Sequence, residues 1–300
     1  MGRGIAQMAA QAGSQVLLFD LQPGAADAAR AALADTWGKL AAKGKLTGEQ
    51  QTRYLDSVRI APALADLASC DLVVEAIVEK LDVKQRLFAD LEALVAADAV
   101  LATNTSSLSV TAIGAALKTP QRLAGYHFFN PVPLMRVVEV IAGLKTAPAV
   151  CQRLTDYTRQ FGHTPVSAQD TPGFIVNHAG RGYGTEALRV AGERVADFAT
   201  IDRILKDQMG FRLGPFELMD LTALDVSHPV MESIYHQYFE EPRYRPSVIT
   251  AQRLAGGVIG KKVGEGFYRY SDGKAEVPAE PPAPAVTTVP LAEKSSDSVS

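Results

Sequence analysis

Apolar positions at the start of the chain change from a helical to a strand-like period. Apolar residues between positions 5 and 12 recur at the spacing of one helical face, and Gly13 follows where a helix would end. Residues 16–19 then form a short apolar run that is typical of a strand buried on both faces, and Asp20 ends it. The pattern predicts a helix, then a strand, then a carboxylate at the end of that strand.

The same alternation continues over the first half of the chain. A long Ala-rich helical stretch reaches about Lys43, and strand-like runs follow at 71–76, 99–103, 123–128 and 137–141, with helical segments between them. Strands that alternate with helices predict an α/β fold with a mainly parallel, doubly wound sheet. Ligands of such sheets bind at the carboxyl ends of the strands.

The pattern changes past residue 166, where the strand-like runs stop and a helical pattern extends to Tyr270. Because of this change we predict a sheet domain over residues 1–170 and an all-α domain over residues 171–272. Residues 273–300 are rich in Pro, Ala and Ser with few large apolar side chains, so we predict a disordered tail or linker there.

Composition narrows the class of protein. With 300 residues, of which 47% are hydrophobic, the chain can bury a sizeable core. A net charge of −3 leaves no basic stripe for nucleic acid, and two cysteines are too few for a disulfide framework, which agrees with a reducing compartment. The sequence has neither a bilayer-spanning apolar stretch nor a secretory signal pattern. We therefore expect a cytoplasmic protein that binds neither nucleic acid nor a membrane, and we predict no metal site.

The opening helix and strand fit part of a dinucleotide-binding unit. In such units a first strand leads into G-x-G-x-x-G, the next helix N-terminus receives the pyrophosphate, and an acid after the following strand binds the ribose hydroxyls. Gly2 fits the last glycine and Asp20 fits the acid, whereas the earlier glycines and the first strand are absent from the sequence. One glycine and one aspartate are a weak signal, so these residues alone favour an ordinary αβ fragment.

The segment GYHFFNPVPLMRVVEVI places a histidine and a glutamate in neighbouring strand-like runs. Glu139 lies among apolar residues, and a carboxylate buried in a strand needs a partner. His127 can be that partner, because a carboxylate bonded to one imidazole nitrogen raises the basicity of the other. The alternative is a structural histidine and a glutamate that caps a strand edge or binds a distant arginine. These two residues alone favour that alternative.

Small polar residues follow another strand-like run, in ATNTSSLSV. Asn104 and the hydroxyl residues 105–107 come just past the strand, at the sheet edge where ligands bind. They can orient a carbonyl or hydroxyl group of a ligand, or they can cap a helix. Ser109 is the better candidate for the cap, which leaves Ser106 free for a ligand.

Seven segments together resemble one known family. They are MGRGIAQ, VVEAIVEKLDVKQ, NTSSLS, HFFNPVPLMRVVEVI, DTPGFIVN, GPFELMDLTALDV and GKKVGEGFYRY. In this order and at these spacings they resemble the 3-hydroxyacyl-CoA dehydrogenases, also called 3-hydroxybutyryl-CoA dehydrogenases, over nearly all of the chain except the tail. The resemblance extends to bacterial members associated with phenylacetate-type degradation. It implies a Rossmann-like domain followed by a helical domain, and NAD-dependent oxidation of an (S)-3-hydroxyacyl-CoA in fatty-acid or aromatic-acid degradation.

The resemblance implies roles for four residues in a site between the two domains. His127 is similar to the catalytic histidine that accepts the proton of the 3-hydroxyl group while hydride leaves for the nicotinamide, and Glu139 is similar to its carboxylate partner. Ser106 resembles the serine that binds the substrate oxygen next to the nicotinamide. Asn177 resembles the asparagine that completes the site from the helical domain.

Further positions resemble the family's cofactor and substrate contacts. The cofactor set comprises Gly2, Asp20, Glu79, Lys84, Ser106 and Asn130. An acid rather than an arginine after the second strand favours NAD over NADP. The alternative for Glu79 and Lys84 is an ordinary solvated surface charge.

The substrate set that the resemblance implies comprises Thr36, Lys43 and Ser106. An ammonium at Lys43 would meet a phosphate of the acyl-CoA substrate, and Lys45 competes with it for this role. Thr36 stands where the family usually has serine, but it keeps the hydroxyl.

The chain departs from the family at its start, where the central strand and two glycines of the pyrophosphate turn are missing. We therefore expect an N-terminally truncated member that binds NAD weakly. Some relatives carry a second helical domain after a linker like this tail. The family's helical domain commonly forms the subunit interface, which implies a homodimer.

Two other functions are compatible with the sequence. A dehydrogenase of a small sugar acid or hydroxy acid, as in the lens-crystallin relatives, would have the same fold but no use for a CoA-binding lysine. An inactive remnant or a structural protein would keep the helical interface without a working cofactor site.

Overall fold

The computed structural model describes residues 1–279 of the chain, and these residues form two compact units. Unit 1 comprises Met1–Glu186 and Pro229–Pro246, and unit 2 comprises Ala187–His228 and the described residues from Ser247 onward. The strands are β1 Val16–Leu18, β2 Val58–Ile60, β3 Leu72–Glu75, β4 Val100–Thr103, β5 Leu123–Phe128, β6 Val137–Ala142, β7 Thr164–Gln169, β8 Arg269–Ser271 and β9 Lys274–Glu276. The α-helices are α1 Gly2–Gln11, α2 Ala25–Ala42, α3 Gly48–Ser57, α4 Leu81–Leu94, α5 Val110–Gly114, α6 Pro148–Gln160, α7 Val176–Ala179, α8 Arg181–Gly192, α9 Phe198–Met209, α10 Pro215–Thr222, α11 Leu224–Gln237 and α12 Val248–Ala255.

Unit 1 is built on two sheets. The larger has the strand order β3-β4-β5-β6-β7, and all of its neighbouring strands are parallel except β5 and β6. Strands β1 and β2 form a separate parallel pair. In the antiparallel pair His127 lies directly opposite Glu139, so the two side chains emerge on the same face of the sheet.

Apolar side chains cover both faces of the larger sheet. Alternate residues of β4 enter different cores: Leu101 packs with Phe88 and Leu91 of α4, whereas Val100 packs with Ile5 of α1 and Leu154 of α6. Because successive side chains of a strand point to opposite faces, helices lie on both sides of this sheet. The predicted doubly wound α/β fold is confirmed.

Of the seven strands in unit 1, the sequence predicted five and missed β2 and β7; it also missed the short strands β8 and β9 of unit 2. The four later strand-like runs correspond to β3, β4, β5 and β6, and the opening run corresponds to β1. Strand β2 is only three residues long, and β7 has the sequence TPVSAQ, in which a single residue is buried. Neither gives the apolar run that the prediction required.

Two buried aspartates organise unit 2. The carboxylate of Asp202 accepts the backbone N–H of Phe216 at 2.9 Å, at the start of α10, and the Tyr268 hydroxyl at 2.7 Å. The carboxylate of Asp220 accepts the backbone N–H groups of Phe267 and Tyr268 at 2.8 and 2.9 Å. These contacts give structural reasons for the GPFELMD and GEGFYRY segments, because Gly266 leaves room for Asp220: a Cβ there would lie 2.0 Å from its Oδ1.

The compact units do not follow the predicted domain ranges residue for residue. Residues 171–186 and Pro229–Pro246 pack with the sheet unit, and the helical second part also contains the hairpin of β8 and β9. Packing units and sequence domains need not share their bounds, so the predicted ranges stay a prediction. The predicted tail over 273–300 contains β9, and its residues 280–300 lie outside the described residues.

Candidate active site

His127 and Glu139 form a buried pair on neighbouring strands. His127 Nδ1 lies 2.6 Å from Glu139 Oε2, and the two side chains are 6% and 0% exposed. Because the carboxylate accepts at Nδ1, Nε2 is the ring nitrogen that can take up a proton. The rings of Phe129 and Phe174 lie 4.5 and 5.7 Å from the imidazole, centre to centre, and fix its plane.

The second oxygen of Glu139 is held by the backbone. Its Oε1 accepts the N–H groups of Ile175 and Val176, each at 2.9 Å. Burial alone would raise the pKa of this carboxyl, but the hydrogen bonds from His127, Val176 and Ile175 together bring its pKa below the ordinary value. Glu139 therefore stays ionised beside the imidazole.

A tight turn delivers those two N–H groups. Gly173 and Phe174 have positive φ angles of 80° and 51° just before α7 begins. A side chain at Gly173 would meet Ile234 Cδ1 at 2.9 Å and the backbone of α7 at about the same distance, so both the backbone angle and the space favour glycine. The same turn brings the Asn177 amide to the Ser106 carbonyl, with Nδ2 at 3.4 Å from that oxygen.

The Ser106 loop is held by a buried ion network. Glu79 Oε1 accepts the Ser106 N–H at 2.8 Å and the Thr105 hydroxyl at 2.6 Å. Lys84 Nζ lies 2.6 Å from Glu75 Oε1 and 3.2 Å from Glu79 Oε2, and the lysine side chain is 1% exposed. The alternative of a solvated surface charge is therefore wrong for Lys84.

Glu79 is the solvent-accessible member of this ion network. Its side chain is 35% exposed. Burial would raise the pKa of its carboxyl, but the Thr105 hydroxyl, the Lys84 ammonium and the Ser106 N–H outweigh this and lower its pKa. Glu79 thus stays a carboxylate beside Ser106, whose Oγ lies 3.4 Å from Glu79 Oε1.

The capping role predicted for Ser109 is confirmed, because its hydroxyl accepts the Ala112 N–H at 3.1 Å. Asp170 supports the same helix start by accepting the N–H groups of Val110 and Thr111 at 2.8 and 2.7 Å. Ser106 takes no part in this cap.

Five predicted residues lie outside this group of contacts. Gly2 opens α1 near the end of β3, where a Cβ would be 3.9 Å from that of Ala76. Asp20 and Asn130 are exposed just past the ends of β1 and β5, which are ligand-binding edges of such sheets. The Thr36 hydroxyl donates to the Ala32 carbonyl within α2 at 2.8 Å, and Lys43 is exposed at the end of that helix.

Sequence reasoning missed the contacts that attach the segment Pro229–Pro246 to this site. His178 Nδ1 lies 2.8 Å from the Tyr238 hydroxyl, and the Tyr244 hydroxyl lies 3.2 Å from His178 Nε2. Gln237 Nε2 donates to the Ser107 carbonyl at 2.9 Å. These residues are about 60 to 130 positions apart in the chain, so local patterns gave no signal for them.

Comparison with known proteins places the chain in a family. Residues 1–171 match the family model described as "3-hydroxyacyl-CoA dehydrogenase, NAD binding domain", and residues 173–270 match "3-hydroxyacyl-CoA dehydrogenase, C-terminal domain". The chain belongs to the 3-hydroxyacyl-CoA dehydrogenase family. The predicted resemblance is confirmed, and the family is one of NAD-dependent oxidoreductases.

Members of this family align with nearly the whole chain. The 3-hydroxyadipyl-CoA dehydrogenase of Escherichia coli is 43% identical over 270 residues, which are 90% of this chain and 57% of that protein. A probable 3-hydroxybutyryl-CoA dehydrogenase of Deinococcus radiodurans is 40% identical over 90% of this chain and 96% of its own length. The chain thus spans little more than half of the E. coli relative.

Solved structures of the dehydrogenases have the same fold. A 3-hydroxybutyryl-CoA dehydrogenase of E. coli superposes with a TM-score of 0.89 at 42% identity, covering 93% of this chain and 60% of that one. The (S)-3-hydroxybutyryl-CoA dehydrogenase of Ralstonia eutropha superposes with a TM-score of 0.87 at 34% identity, covering 91% and 96%.

The cofactor of this dehydrogenase domain is NAD, and the start of unit 1 fits it. No side chain of the described residues caps α1, and its first turn carries no acid, so its first N–H groups can meet a phosphate. Within the described part of the chain, the exposed Asp20 carboxylate accepts one hydrogen bond, from the Gln22 N–H at 2.8 Å, which leaves acceptor capacity for a ribose hydroxyl.

Two further findings concern metals and membranes. Among residues 1–279, no cluster of three or more His, Cys, Asp or Glu side chains is arranged to hold a metal ion. Within the same part of the chain, no helix combines the length and the apolar character that a bilayer span requires.

Proposed function

We propose that this chain oxidises an (S)-3-hydroxyacyl-CoA to the corresponding 3-oxoacyl-CoA. The observation that carries the proposal is the buried contact of 2.6 Å between His127 Nδ1 and Glu139 Oε2. Such a pair supplies a general base of fixed orientation, which dehydrogenation of an alcohol requires. Relatives whose names state this activity, together with the family matches of both parts of the chain, support the proposal.

His127 accepts the proton of the 3-hydroxyl group at Nε2. Glu139 keeps Nδ1 protonated and stabilises the imidazolium that forms, because the carboxylate stays ionised. Bound NAD supplies the acceptor for the hydride from C3. The backbone N–H groups of Ile175 and Val176 hold the carboxylate in place, so the base does not turn away during the reaction.

Ser106 and Asn177 orient the substrate oxygen in this proposal. Asn177 Nδ2 contacts the Ser106 carbonyl oxygen. Glu79 accepts the Ser106 N–H and is itself paired with Lys84, so these two residues hold the Ser106 loop in place. Gly2, Asp20 and Asn130 are the cofactor contacts that we propose on the exposed side. Glu79 and Lys84 support the cofactor region through the network rather than through an exposed ammonium, because Lys84 is 1% exposed.

Lys43 and Thr36 are the proposed contacts to the CoA moiety. Lys43 is exposed and can meet a phosphate, while the Thr36 hydroxyl already donates within its own helix and keeps only acceptor capacity. The named relatives act on different acyl groups, an adipyl and a butyryl derivative, so they leave the acyl chain of this protein open. A place in fatty-acid or aromatic-acid degradation and a cytoplasmic location stay predictions.

The experiment is a spectrophotometric assay of NADH formation with (S)-3-hydroxybutyryl-CoA. We expect His127→Gln to lower kcat by about 10²- to 10⁴-fold, the usual contribution of a general base, with little change in KM. His236→Gln is the matched control, because His236 is exposed and its ion pair is with Glu240 of its own helical turn. Full activity of His127→Gln would overturn the assignment.

A second arm tests the substrate class. We expect Lys43→Ala to raise KM for the CoA ester and to leave the weak turnover of free 3-hydroxybutyrate unchanged. Equal use of the CoA ester and the free acid by the unaltered protein would contradict an acyl-CoA substrate and favour a hydroxy-acid dehydrogenase.

We also infer a homodimer through the helical part of the chain. Large apolar side chains are exposed on unit 2, among them Ile204, Met209, Leu221 and Val226, which are 51–66% accessible. Contact with a second copy of the chain would remove such side chains from water, which favours association. Light scattering should give twice the chain mass, and Leu221→Glu should give the single chain mass; a monomeric unaltered protein would contradict the inference.

A further inference from the structure

Arg181 differs from the other arginines with a covered Nε. Arg122, Arg181 and Arg253 each have a buried Nε that finds no hydrogen-bond partner among the described residues. Arg122 nevertheless donates through its other nitrogens to the carbonyls of Ala96 and Glu92 at 2.6 and 3.0 Å. Arg253 donates to the Gly266 carbonyl at 2.8 Å and stacks 4.5 Å above the ring of Phe267.

The guanidinium of Arg181 has no such compensation. Within residues 1–279 it makes no hydrogen bond and no ion pair. Burial lowers the pKa of this arginine, with no neighbouring carboxylate to offset the effect. Removing a charged guanidinium from water without a new partner raises the free energy of the folded state. An anion bound to Arg181 would offset this, and the described residues do not supply one. The residue as a whole is half-buried, so part of the side chain remains accessible to a ligand.

Arg181 lies one helical turn after Asn177. Gly180 between α7 and α8 has helical angles, φ −69° and ψ −14°, and its N–H donates to the Val176 carbonyl at 2.8 Å, so the helix continues through the junction. Residues four apart in a helix share a face, and one turn rises about 5.4 Å. Arg181 is therefore on the Asn177 face, about one turn from the residue that reaches the Ser106 loop.

This spacing suits a carboxylate at the far end of a short acyl chain. In an extended six-carbon dicarboxylic acyl group, three bonds separate C3 from the terminal carboxyl carbon, a span of roughly 3.8 Å, as between successive Cα atoms. A hydrogen bond to its oxygens adds about 2.8 Å. The phosphates of CoA lie beyond the thioester and the long pantetheine arm, so they are too far from C3 to be the anion here.

We propose that Arg181 is a specificity-determining residue that binds the terminal carboxylate of a dicarboxylic 3-hydroxyacyl-CoA, held by a helix that also carries Asn177. The proposal rests on the proposed dehydrogenase function and names the substrate class for that site. A planar guanidinium can bind a carboxylate with two parallel hydrogen bonds, which discriminates strongly against an acyl chain that ends in a methyl group.

The experiment compares two substrates of equal chain length, 3-hydroxyadipyl-CoA and 3-hydroxyhexanoyl-CoA. We expect the unaltered protein to prefer the first, and Arg181→Gln to lower kcat/KM for it by about 10- to 100-fold, the range for a hydrogen bond to a charged group. Turnover of 3-hydroxyhexanoyl-CoA by Arg181→Gln should stay the same or rise. Arg181→Lys should recover part of the loss, because it keeps the charge without the fork.

Thermal unfolding gives a readout that a structural arginine would not reproduce. Because the guanidinium has no partner among residues 1–279, Arg181→Gln should keep or raise Tm, and adipyl-CoA should raise Tm of the unaltered protein more than hexanoyl-CoA does. Arg189→Gln is the matched control on the same helix, where an exposed arginine pairs with Glu193. It should change neither the preference nor the ligand-induced shift in Tm.

Three outcomes would overturn the proposal. A lower Tm of Arg181→Gln without ligand indicates a structural arginine, and an equal loss with both substrates indicates a contact to the CoA moiety. Equal use of both substrates by the unaltered protein excludes carboxylate recognition. In each case turnover of 3-hydroxyhexanoyl-CoA shows that the dehydrogenase function itself holds, whereas no turnover of either substrate would contradict that function first.

Discussion

Units 1 and 2 both bury carboxylates on backbone N–H groups, but they use them differently. Glu139 accepts two N–H groups at 2.9 Å and shares its other oxygen with His127. Asp220 accepts two N–H groups at 2.8 and 2.9 Å and shares an oxygen with the Tyr270 hydroxyl at 3.0 Å. The donor geometry is nearly the same, and the difference is whether the third partner is an imidazole or a phenol.

The pKa values of the two carboxyls shift in opposite directions. Burial raises the pKa of Asp220, and its hydrogen bonds only partly reverse this. Burial acts on Glu139 in the same direction, but the imidazole and the backbone N–H groups outweigh it, so its pKa falls. Because the imidazole of His127 can carry a positive charge, its carboxylate partner Glu139 can take part in proton transfer. The phenol of Tyr270 cannot do this, so Asp220 only holds two segments of unit 2 together, and we call its contacts the Asp220 clamp.

The largest effect that separates the two carboxylates should be catalytic. Glu139→Gln keeps the shape of the side chain but removes the charge that stabilises an imidazolium, so we expect kcat to fall by about 10²- to 10⁴-fold. The measurement is NADH formation under saturating substrate, with the fold checked by the fluorescence of Trp37, the only tryptophan, which is fully buried in unit 1.

Glu92→Gln is the matched control for this comparison. Glu92 also accepts two backbone N–H groups, from Lys118 and Thr119 at 2.8 and 2.7 Å, but among residues 1–279 it contacts no histidine. It should keep kcat within about twofold. A loss of activity as large as that of Glu139→Gln would mean that backbone anchoring, rather than the imidazole contact, accounts for the effect.

The next effect should be structural and confined to unit 2. In Asp220→Asn an amide NH₂ must face donors that the carboxylate accepted, so we expect unit 2 to lose about 2–4 kcal/mol of stability. The measurement is hydrogen exchange of the Phe267 and Tyr268 amides, which donate to Asp220. Asp225→Asn is the control, because its partner Lys262 is on the surface, and it should change the stability by less than about 0.5 kcal/mol. Unchanged exchange in Asp220→Asn would show that the clamp is dispensable.

The residues alone offered the His127–Glu139 pair only as one of two alternatives, and the family resemblance implied it; for the contacts of Asp202 and Asp220 in unit 2 the sequence predicted no partners. His127 and Glu139 lie in neighbouring apolar runs, and the antiparallel register sets them opposite each other. The contact of Glu139 with Ile175 and Val176 depends on a turn with positive φ at Phe174, about 36 residues further along the chain, which no local pattern predicts.

Asp220 and its partners are likewise almost 50 residues apart. The sequence identified their segments only through a family resemblance, because no periodicity marks a buried aspartate. The burial of Lys84 was equally unpredictable from the sequence. A lysine near the start of a polar helix is usually a surface charge, but the structure buries it between two glutamates.

The smallest effect tests the opposite pKa shifts through the pH dependence of stability. Because the native pKa of Glu139 is lowered, its contribution is present above the ordinary glutamate pKa of about 4.3 and is lost as pH falls through the native value. The native pKa of Asp220 is raised, so the native state holds that proton longer than the unfolded state, and its contribution falls as pH rises above the ordinary aspartate value of about 3.9. The difference in stability between the unaltered protein and Glu139→Gln, followed by Trp37 fluorescence in denaturant, should therefore shrink towards acid. The difference for Asp220→Asn, followed by amide exchange corrected for intrinsic rates, should shrink towards neutral pH. If both stability differences changed with pH in the same direction, the contrast between the two units would be wrong.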